Sequence, residues 1–315
     1  MYVVGIDVGG QTSKIGVVDA RGTVLAQTVI RTDNHDVVDL FIEELAAAVK
    51  KVIKEADVEG KVRGIGVGAP NGNYYTGTIE NAPNLSWGHN RVEFAKLLSE
   101  AMGGMPVALT NDANAAAVGE MTYGAARGMK NFIMITLGTG VGSGIVINGE
   151  VVYGHDGFAG ELGHTAAVRN NGRTCGCGKT GCLETYASAT GVARTAREWL
   201  ELSDEPSVLR NLDNIASKDV FDAAKDGDKL ALKIFEFTGK ILGRSFADFV
   251  AFSAPEAIVL FGGLARAKEF LNGPIEEAMN ANLLPMWKNK VKVIYSQLKE
   301  SDAAILGASA LAWEL

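Results

Sequence analysis

Long apolar runs and clusters of basic residues are both missing from this chain of 315 residues. No stretch approaches the roughly 20 consecutive apolar residues that a membrane-spanning helix needs, so we expect no membrane partner. The formal net charge is −7, from 30 basic and 37 acidic residues, which argues against nucleic acid as a partner. The N-terminus also lacks the basic and apolar segments of a signal peptide, and we therefore expect a cytoplasmic protein.

Cysteine is scarce, and all three cysteines lie between residues 175 and 182. So small, odd and clustered a set is unsuited to a disulfide framework and typical of metal ligands. Together with His164, the residues Cys175, Cys177 and Cys182 make a Cys₃His set, which favours tetrahedral Zn²⁺. Because four protein ligands would complete the coordination shell, we predict a structural zinc site with no open position for a reacting water.

Glycine, in contrast, is abundant. It makes up 38 of the 315 residues, well above the average usage of about 7%. Many of the glycines follow apolar segments that are predicted strands, and these strands alternate with helices, which predicts an α/β fold class. The length predicts two domains. A pattern of apolar strand, glycine turn and second strand begins at Tyr2 and again at Phe132. We interpret this repeat as two similar α/β domains, each offering a glycine-rich turn to a shared cleft.

The clearest predictions of secondary structure lie in the first 123 residues. Apolar runs predict strands at Tyr2–Val8, Ile65–Val67 and Val107–Thr110. Apolar residues at helical spacing predict a helix over 36–56, and an alanine-rich stretch predicts another from about 113 to 123.

The first glycine turn follows the strand that contains Asp7. The backbone amides of Gly9 and Gly10 can bind phosphate oxygens, with Thr12 supplying a hydroxyl and Lys14 a positive charge. Asp7 could hold Mg²⁺ through water, since Mg²⁺ keeps much of its hydration shell in proteins. An ordinary hairpin with glycine at its turn fits the same pattern.

Two further glycine motifs follow strands. Four of the seven residues 138–144 are glycine, and the backbone entropy that this costs is better explained by a close ligand than by a tight turn. The motif is neither a P-loop nor a Rossmann fingerprint, because no Gly-Lys-Ser/Thr closes it and a strand follows it. Gly262-Gly263 lies between a buried strand and a helix, a position that suits a phosphate or a nucleoside.

Polar residues crowd the junction between the strand that ends near Thr110 and the next helix. Asn111 or Asp112 could be the N-cap of that helix, a position where Asn and Asp are preferred. A carboxylate at such a junction could instead act as the general base for a substrate hydroxyl in phosphoryl transfer. Glu161 and Glu184 flank the predicted zinc ligands, and a bound metal would hold both carboxylates rigidly as acceptors for sugar hydroxyls.

Taken together, these motifs resemble those of the ROK family of sugar kinases and sugar-responsive repressors, which has the actin-like ATPase (ribonuclease H-like) fold of the hexokinases. The resemblance extends along the whole chain. It rests on Asp7-x-Gly9-Gly10, Asn111-Asp112, Leu137-Gly138-x-Gly140-x-Gly142, Glu161-x-x-His164 and Cys175-x-Cys177-x₄-Cys182-x-Glu184.

The resemblance implies roles for these residues. Asp112 would take the proton from a sugar hydroxyl, usually O6. The sugar would be lined by Asn111, Glu161, His164, Glu184 and Gly68, with His164 also binding zinc. MgATP would be surrounded by Asp7, Gly9, Gly10, Gln11, Thr12 and Lys14, by Gly138, Thr139, Gly140 and Gly142, and by Gly262 and Gly263.

The family architecture implies an N-terminal domain of residues 1–112 plus 302–315 and a larger domain of residues 113–301 that carries the zinc motif, in a homodimer. The sequence departs from the family pattern at two places. Gln11 replaces a common threonine, so Thr12 is expected to make the hydroxyl contact with ATP. The loop 69–73 replaces a commoner Gly-Pro-hydrophobic-Asp loop near the sugar, which leaves the choice of sugar open.

The function predicted from the sequence is an ATP-dependent hexose kinase of sugar metabolism, with glucose as the first choice of substrate and glycolysis as its setting. The alternatives are a kinase for N-acetylmannosamine, N-acetylglucosamine, mannose or fructose, and a non-catalytic sugar sensor. Family repressors carry a DNA-binding segment before the Asp-Gly-Gly strand, which here begins at Tyr2, so we expect an enzyme and no nucleic acid partner.

Overall fold

The computed structural model describes residues 1–315, except for the side chain of residue 300. The chain forms two compact units. The first contains residues 1–129, 144–160 and 296–315, and the second contains residues 130–143 and 161–295. Both contain strands and helices in alternation, which confirms the predicted α/β class. None of the described helices is long and apolar enough to cross a membrane.

The elements are named in chain order. Up to residue 129 they are β1 (Tyr2–Val8), β2 (Thr12–Asp19), β3 (Val24–Arg31), α1 (Val38–Glu55), β4 (Val62–Ala69), β5 (Gly72–Asn73), β6 (Thr78–Glu80), β7 (Arg91–Val92), α2 (Phe94–Ala101), β8 (Val107–Asn111) and α3 (Asp112–Tyr123). They continue with β9 (Phe132–Leu137), β10 (Val141–Ile147), β11 (Glu150–Val151), α4 (Glu184–Ala187), α5 (Ala189–Leu202), α6 (Ser217–Lys225), α7 (Lys229–Ser253), β12 (Ala257–Phe261), α8 (Lys268–Asn282), β13 (Lys292–Tyr295) and α9 (Glu300–Leu311).

The first unit is built on a five-stranded sheet of order β3-β2-β1-β4-β8. Strand β1 runs antiparallel to β2 and parallel to β4, and β4 runs parallel to β8. The three parallel strands therefore end at the same edge of the sheet. The register sets Asp7 opposite Gly68 and Ala69 opposite Asn111, so Asp7 and Asn111 lie at the same edge of the sheet on either side of β4.

Helices cover both faces of this sheet. Phe41, Leu45 and Val49 of α1 are fully buried in one apolar core with Val4 and Ile6 of β1. The opposite face packs against α9, and β1 and β4 carry Gly5 and Gly66 where this helix comes closest. A Cβ at Gly66 would lie only 1.9 Å from the carbonyl oxygen of Ala308, so the close approach of α9 requires glycine at this position.

A small sheet of order β5-β6-β7 was not predicted from the sequence. Its strands are two or three residues long, which is too short to show an alternation of apolar and polar residues. Helix α2 was also missed.

The second unit contains a parallel arrangement of β9, β12 and β13, in which Leu260 of β12 pairs with Ile135 and with Tyr295. Strand β10 begins in this unit and continues into the first at residue 144. There it turns at Asn148 and Gly149, both in the left-handed region, and pairs with β11. The long helices α7 and α8 pack closely at Gly243, where a Cβ would lie 2.4 Å from the carbonyl oxygen of Ile275.

Candidate active site

In the first unit, the sheet edge where β1, β4 and β8 end collects several of the predicted site residues. Asp7 lies near the end of β1, Gly68 near the end of β4 and Asn111 at the end of β8, with Asp112 beginning α3. The two carboxylates are close enough for the charge of Asp112 to raise the pKa of Asp7. The strand register thus brings together residues that are far apart in the sequence.

Asn111 occupies the N-cap position of α3. Its Oδ1 accepts a hydrogen bond of 2.9 Å from the backbone amide of Ala113. Asp112 Oδ1 lies 2.7 Å from the same amide nitrogen. The N-cap interpretation therefore applies to Asn111, and Asp112 is the first residue of the helix.

The pKa of Asp112 is raised by the dense protein around its carboxylate, against the hydrogen bonds from the amide of Ala113 and its own amide. Water nevertheless reaches the side chain, which limits the size of this shift. A carboxylate with a raised pKa is a stronger base, and it is therefore better suited to accept a proton from a hydroxyl.

Burial raises the pKa of Asp7 to about 6, and the charge of Asp112 adds to this shift. Lys14, which pairs with Asp7 across β1 and β2, acts in the opposite direction. Two neighbouring carboxylates are a suitable environment for a hydrated Mg²⁺ ion, which would relieve their mutual repulsion.

The first glycine turn joins β1 to β2. The amide of Gly9 donates to the carbonyl of Thr12 at 3.1 Å, and the carbonyl of Gln11 accepts from the amide of Thr32 at 2.9 Å. A Cβ at Gly10 would lie 2.7 Å from the carbonyl oxygen of Asn84. Gly10 thus faces the segment around Asn84, which the sequence did not identify because its partner is remote in the chain.

The second glycine turn, residues 138–142, belongs to the second unit, and most of its amides are already bonded. Gly138 donates to the carbonyl of Gly140 at 3.0 Å, Val141 to Glu184 Oε2 at 2.9 Å, and Gly142 to the hydroxyl of Thr136 at 3.1 Å. Among the described residues, the amides of Thr139 and Gly140 have no acceptor. These two amides are therefore available as donors to a ligand.

The third glycine motif lies against the strand that leads into the second. Gly262 has φ 102°, a conformation that favours glycine, and a Cβ there would lie 2.6 Å from the carbonyl oxygen of Leu137. Gly263 begins a 3₁₀ turn, Gly263–Ala267, that leads into α8. The helix predicted after Gly262-Gly263 therefore starts only at Lys268, because this tighter turn precedes it.

The second unit also brings together the four predicted metal ligands. One donor atom each of His164, Cys175, Cys177 and Cys182 lies within 4.8 Å of the others. His164 Nδ1 lies 3.7 Å from Cys175 Sγ, and Cys177 Sγ lies 3.7 Å from Cys182 Sγ. This donor set fits a soft metal ion in tetrahedral coordination.

The thiols differ in how readily they lose a proton. Burial, followed by the neighbouring thiols, raises the pKa of Cys182 to about 12, and burial also raises the pKa of Cys175. A hydrogen bond from the amide of Lys179 lowers the pKa of Cys177. Since a metal binds thiolates, its binding must displace the protons of the two buried thiols.

The two predicted sugar-binding glutamates lie on either side of this cluster in the sequence. Glu161 precedes the 3₁₀ turn Leu162–His164, in which the amide of Leu162 donates to the hydroxyl of Ser143 at 3.0 Å. Glu184 begins α4 and accepts a hydrogen bond from the glycine turn through Val141. Its contact with the turn is a feature that the sequence did not reveal.

Comparisons with known proteins place these features in a family. The model of the ROK family matches residues 3–314. A glucokinase of Halalkalibacterium halodurans is 38% identical over 311 residues, which are 97% of this chain and 93% of that protein. The crystal structure of a ROK hexokinase from Thermus thermophilus is 31% identical, with a TM-score of 0.84, and covers 100% of this chain and 98% of that one. A ROK family glucokinase from Streptomyces griseus, in complex with glucose and AMPPNP, is 31% identical with a TM-score of 0.81 over 100% of both chains.

Asp7→Asn should change stability in a pH-dependent manner, measured by chemical denaturation without Mg²⁺ or nucleotide. The pKa of Asp7 is higher in the folded state, about 6, than the ordinary 3.8. Its stabilising contribution is therefore complete below the unfolded pKa and is lost as the pH rises through 6. At pH 8 the asparagine variant should be more stable than the wild type by up to about 3 kcal/mol, with little difference at pH 4.

Asp19→Asn is the matched control, because its carboxylate is shifted in the opposite direction. Burial alone would raise the pKa of Asp19, but hydrogen bonds from the amides of Thr23 and Arg21 hold it below the ordinary value. Its replacement should destabilise the protein at pH 8. An Asp7 variant with the same effect at pH 4 and pH 8 would contradict the raised pKa.

Proposed function

We propose that this chain, which belongs to the ROK family, is an ATP-dependent glucokinase that phosphorylates the 6-hydroxyl of glucose. The observation that carries this proposal is its identity of 38% with a glucokinase, over nearly the full length of both chains. The similar ROK family glucokinase structure holds glucose and AMPPNP, which supports glucose and ATP as the two substrates. The site residues support the same reaction.

Asp112 is proposed as the general base. It would accept the proton of the sugar hydroxyl as that oxygen attacks the γ-phosphorus of ATP, while the bond from phosphorus to the bridging oxygen breaks and ADP leaves. The raised pKa of its carboxyl group suits this proton transfer. Asp7 would hold the water shell of the Mg²⁺ that accompanies ATP.

The glycine motifs are proposed to bind ATP. Gly9, Gly10, Gln11 and Thr12 form one turn, with Lys14 next to Asp7. Thr139 and Gly140 supply amide donors on the second turn, between Gly138 and Gly142, and Gly262-Gly263 lies against the strand before it. The proposed sugar-binding residues are Gly68, Asn111, Glu161, His164 and Glu184.

Zinc is proposed as the metal of the Cys₃His cluster. The four side chains would fill its coordination shell, so zinc would stabilise the loop and supply no chemistry to the reaction. His164 is half-buried, and one ring nitrogen could bind zinc while the other faces a sugar hydroxyl. We also propose a cytoplasmic homodimer with no nucleic acid partner.

A screen of ADP release tests the choice of substrate. Glucose should give the highest kcat/KM in a panel with mannose, fructose, N-acetylglucosamine and N-acetylmannosamine, because glucokinases are the relatives of highest identity reported above. A higher kcat/KM for an N-acetylated sugar would contradict the glucokinase assignment while leaving the kinase reaction intact. No ADP release with any hexose would indicate a non-catalytic sensor.

Asp112→Asn should reduce kcat for glucose by about 10²–10⁴, the usual contribution of a positioned general base. The asparagine keeps the size of the side chain and a hydrogen-bonding oxygen, so glucose binding and thermal stability should change little. Asn114→Ala, two positions along α3, provides a control on the same helix. A kcat within a few-fold of the wild type would exclude Asp112 as the base.

Protein purified without chelators should contain about one zinc ion per chain by elemental analysis. Cys177→Ala should lose the metal, the activity and part of the thermal stability together. Three ligands bind the metal weakly, and the loop is then no longer held in place by it. Gly176→Ala is the control, since a Cβ there meets no atom within 4 Å, and it should keep the metal. Full activity in metal-free protein would contradict the bracing role of zinc.

A further inference from the structure

One short segment of the second unit makes three hydrogen bonds to the glycine turn 138–142. Glu184 Oε2 accepts from the amide of Val141 at 2.9 Å. The amide of Ala189 donates to the carbonyl of Gly138 at 2.8 Å, and the hydroxyl of Thr190 donates to the carbonyl of Thr139 at 2.9 Å. We call residues 184–190 the bracing segment.

The absence of a side chain at Gly140 makes room for the contact between the turn and Glu184. A Cβ at Gly140 would lie 2.3 Å from Glu184 Oε2, whereas a Cβ at Gly138 would meet no atom within 4 Å. The glycine at 140 is therefore needed to admit the glutamate side chain. A ligand is not required to explain it.

The bracing segment is anchored next to the cysteine cluster. Oε1 of Glu184 lies 3.7 Å from Cys175 Sγ, a contact that supplies no hydrogen bond once Cys175 binds a metal as a thiolate. The next residue, Thr185, donates through its hydroxyl to the carbonyl of Cys182 at 2.8 Å, and Ser188 caps α5. The bracing segment is thus anchored at its start, and its carboxylate does not need to be ordered when a substrate binds.

We propose that Glu184 is a positioning residue for the nucleotide, in addition to its proposed contact with the sugar. Oε2 holds the amide of Val141 and fixes the shape of the turn, which leaves the amides of Thr139 and Gly140 as the phosphate donors. Oε1 is the oxygen that can accept from a sugar hydroxyl. One carboxylate therefore links both substrates, an inference that rests on the proposed kinase function.

The energetic reason is preorganisation. A glycine-rich turn has many backbone conformations, and ordering them on binding would weaken the affinity for nucleotide. The hydrogen bond to a charged acceptor restrains the turn before the ligand arrives. The negative charge of Glu184 opposes this gain, because it lies near the phosphates. The amide variant separates the two effects, since glutamine keeps an accepting oxygen and removes the charge.

The test is calorimetric titration of the full chain with Mg²⁺ and AMPPNP in the absence of sugar. Glu184→Ala should weaken AMPPNP binding by about tenfold, the loss expected for one charged hydrogen bond. Glu184→Gln should stay within about threefold of the wild type, because its amide oxygen can accept from Val141. Thr190→Val, which removes a second hydrogen bond of the brace, should weaken binding by about threefold. Thermal denaturation of each variant confirms that it folds.

Two glycine variants test whether the effect passes through the turn. Gly138→Ala measures the effect of an added methyl group on the turn without contact to Glu184, and Gly140→Ala should weaken AMPPNP binding by about tenfold more. In the Glu184→Ala background this additional loss should largely disappear, because the clashing carboxylate is gone. Additive losses would show that Gly140 and Glu184 act independently and would overturn the proposal.

The outcomes separate this proposal from the proposed function. Wild-type binding of AMPPNP, with the same affinity in Glu184→Ala as in the equally uncharged Glu184→Gln, would overturn the positioning role alone, and the kinase assignment would stand. No AMPPNP binding to the wild type would overturn the kinase assignment, and the positioning role with it.

Discussion

The parallel pairing of β1, β4 and β8 is the constraint on which the candidate site of the first unit depends. Because these strands run in the same direction, their carboxyl ends meet at one edge, and Asp7, Gly68 and Asn111 become neighbours. The pairing is kept by helices on both faces, with α1 in an apolar core and α9 so close that Gly66 admits no side chain. The same edge carries a destabilising feature, since burial and the charge of Asp112 keep Asp7 from ionising at its ordinary pKa. The raised pKa of Asp7 therefore lowers the folding stability at the position where Mg²⁺ and a phosphate are proposed to bind.

In the second unit, side-chain contacts connect the cysteine loop to the glycine turn 138–142. The Cys₃His cluster gathers four donor atoms within 4.8 Å. From there, Glu184 and the bracing segment extend to the glycine turn. The cluster, the proposed sugar-binding carboxylate and the proposed phosphate donors are therefore successive parts of one connected structure. A structural metal can affect the binding of nucleotide in this way without taking part in the reaction.

Glycine has two separate functions in this chain. At Gly66 and Gly243 it allows helices to approach a strand or another helix more closely than a Cβ would permit. At Gly262 it also provides a backbone conformation with φ 102°, which side chains disfavour. The sequence cannot distinguish these functions, because both appear as isolated or paired glycines near the ends of apolar runs. The interpretation of the glycines of residues 138–144 as the mark of a close ligand is therefore incomplete for Gly140, whose missing side chain makes room for Glu184.

The sequence by itself determined the α/β class, because strands and helices leave local patterns in the chain, and the resemblance of its motifs indicated the family that the comparisons show. It predicted β1 and β8 closely from their apolar runs, α1 from apolar residues at helical spacing, and α3 from its alanine-rich stretch. It missed β5, β6 and β7, which are too short to show one. Only the tertiary structure decided that Asp7 lies beside Asp112 and that Glu184 holds Val141. These contacts depend on strand register and on loops packed against each other, and such long-range packing leaves no periodic signal in the chain.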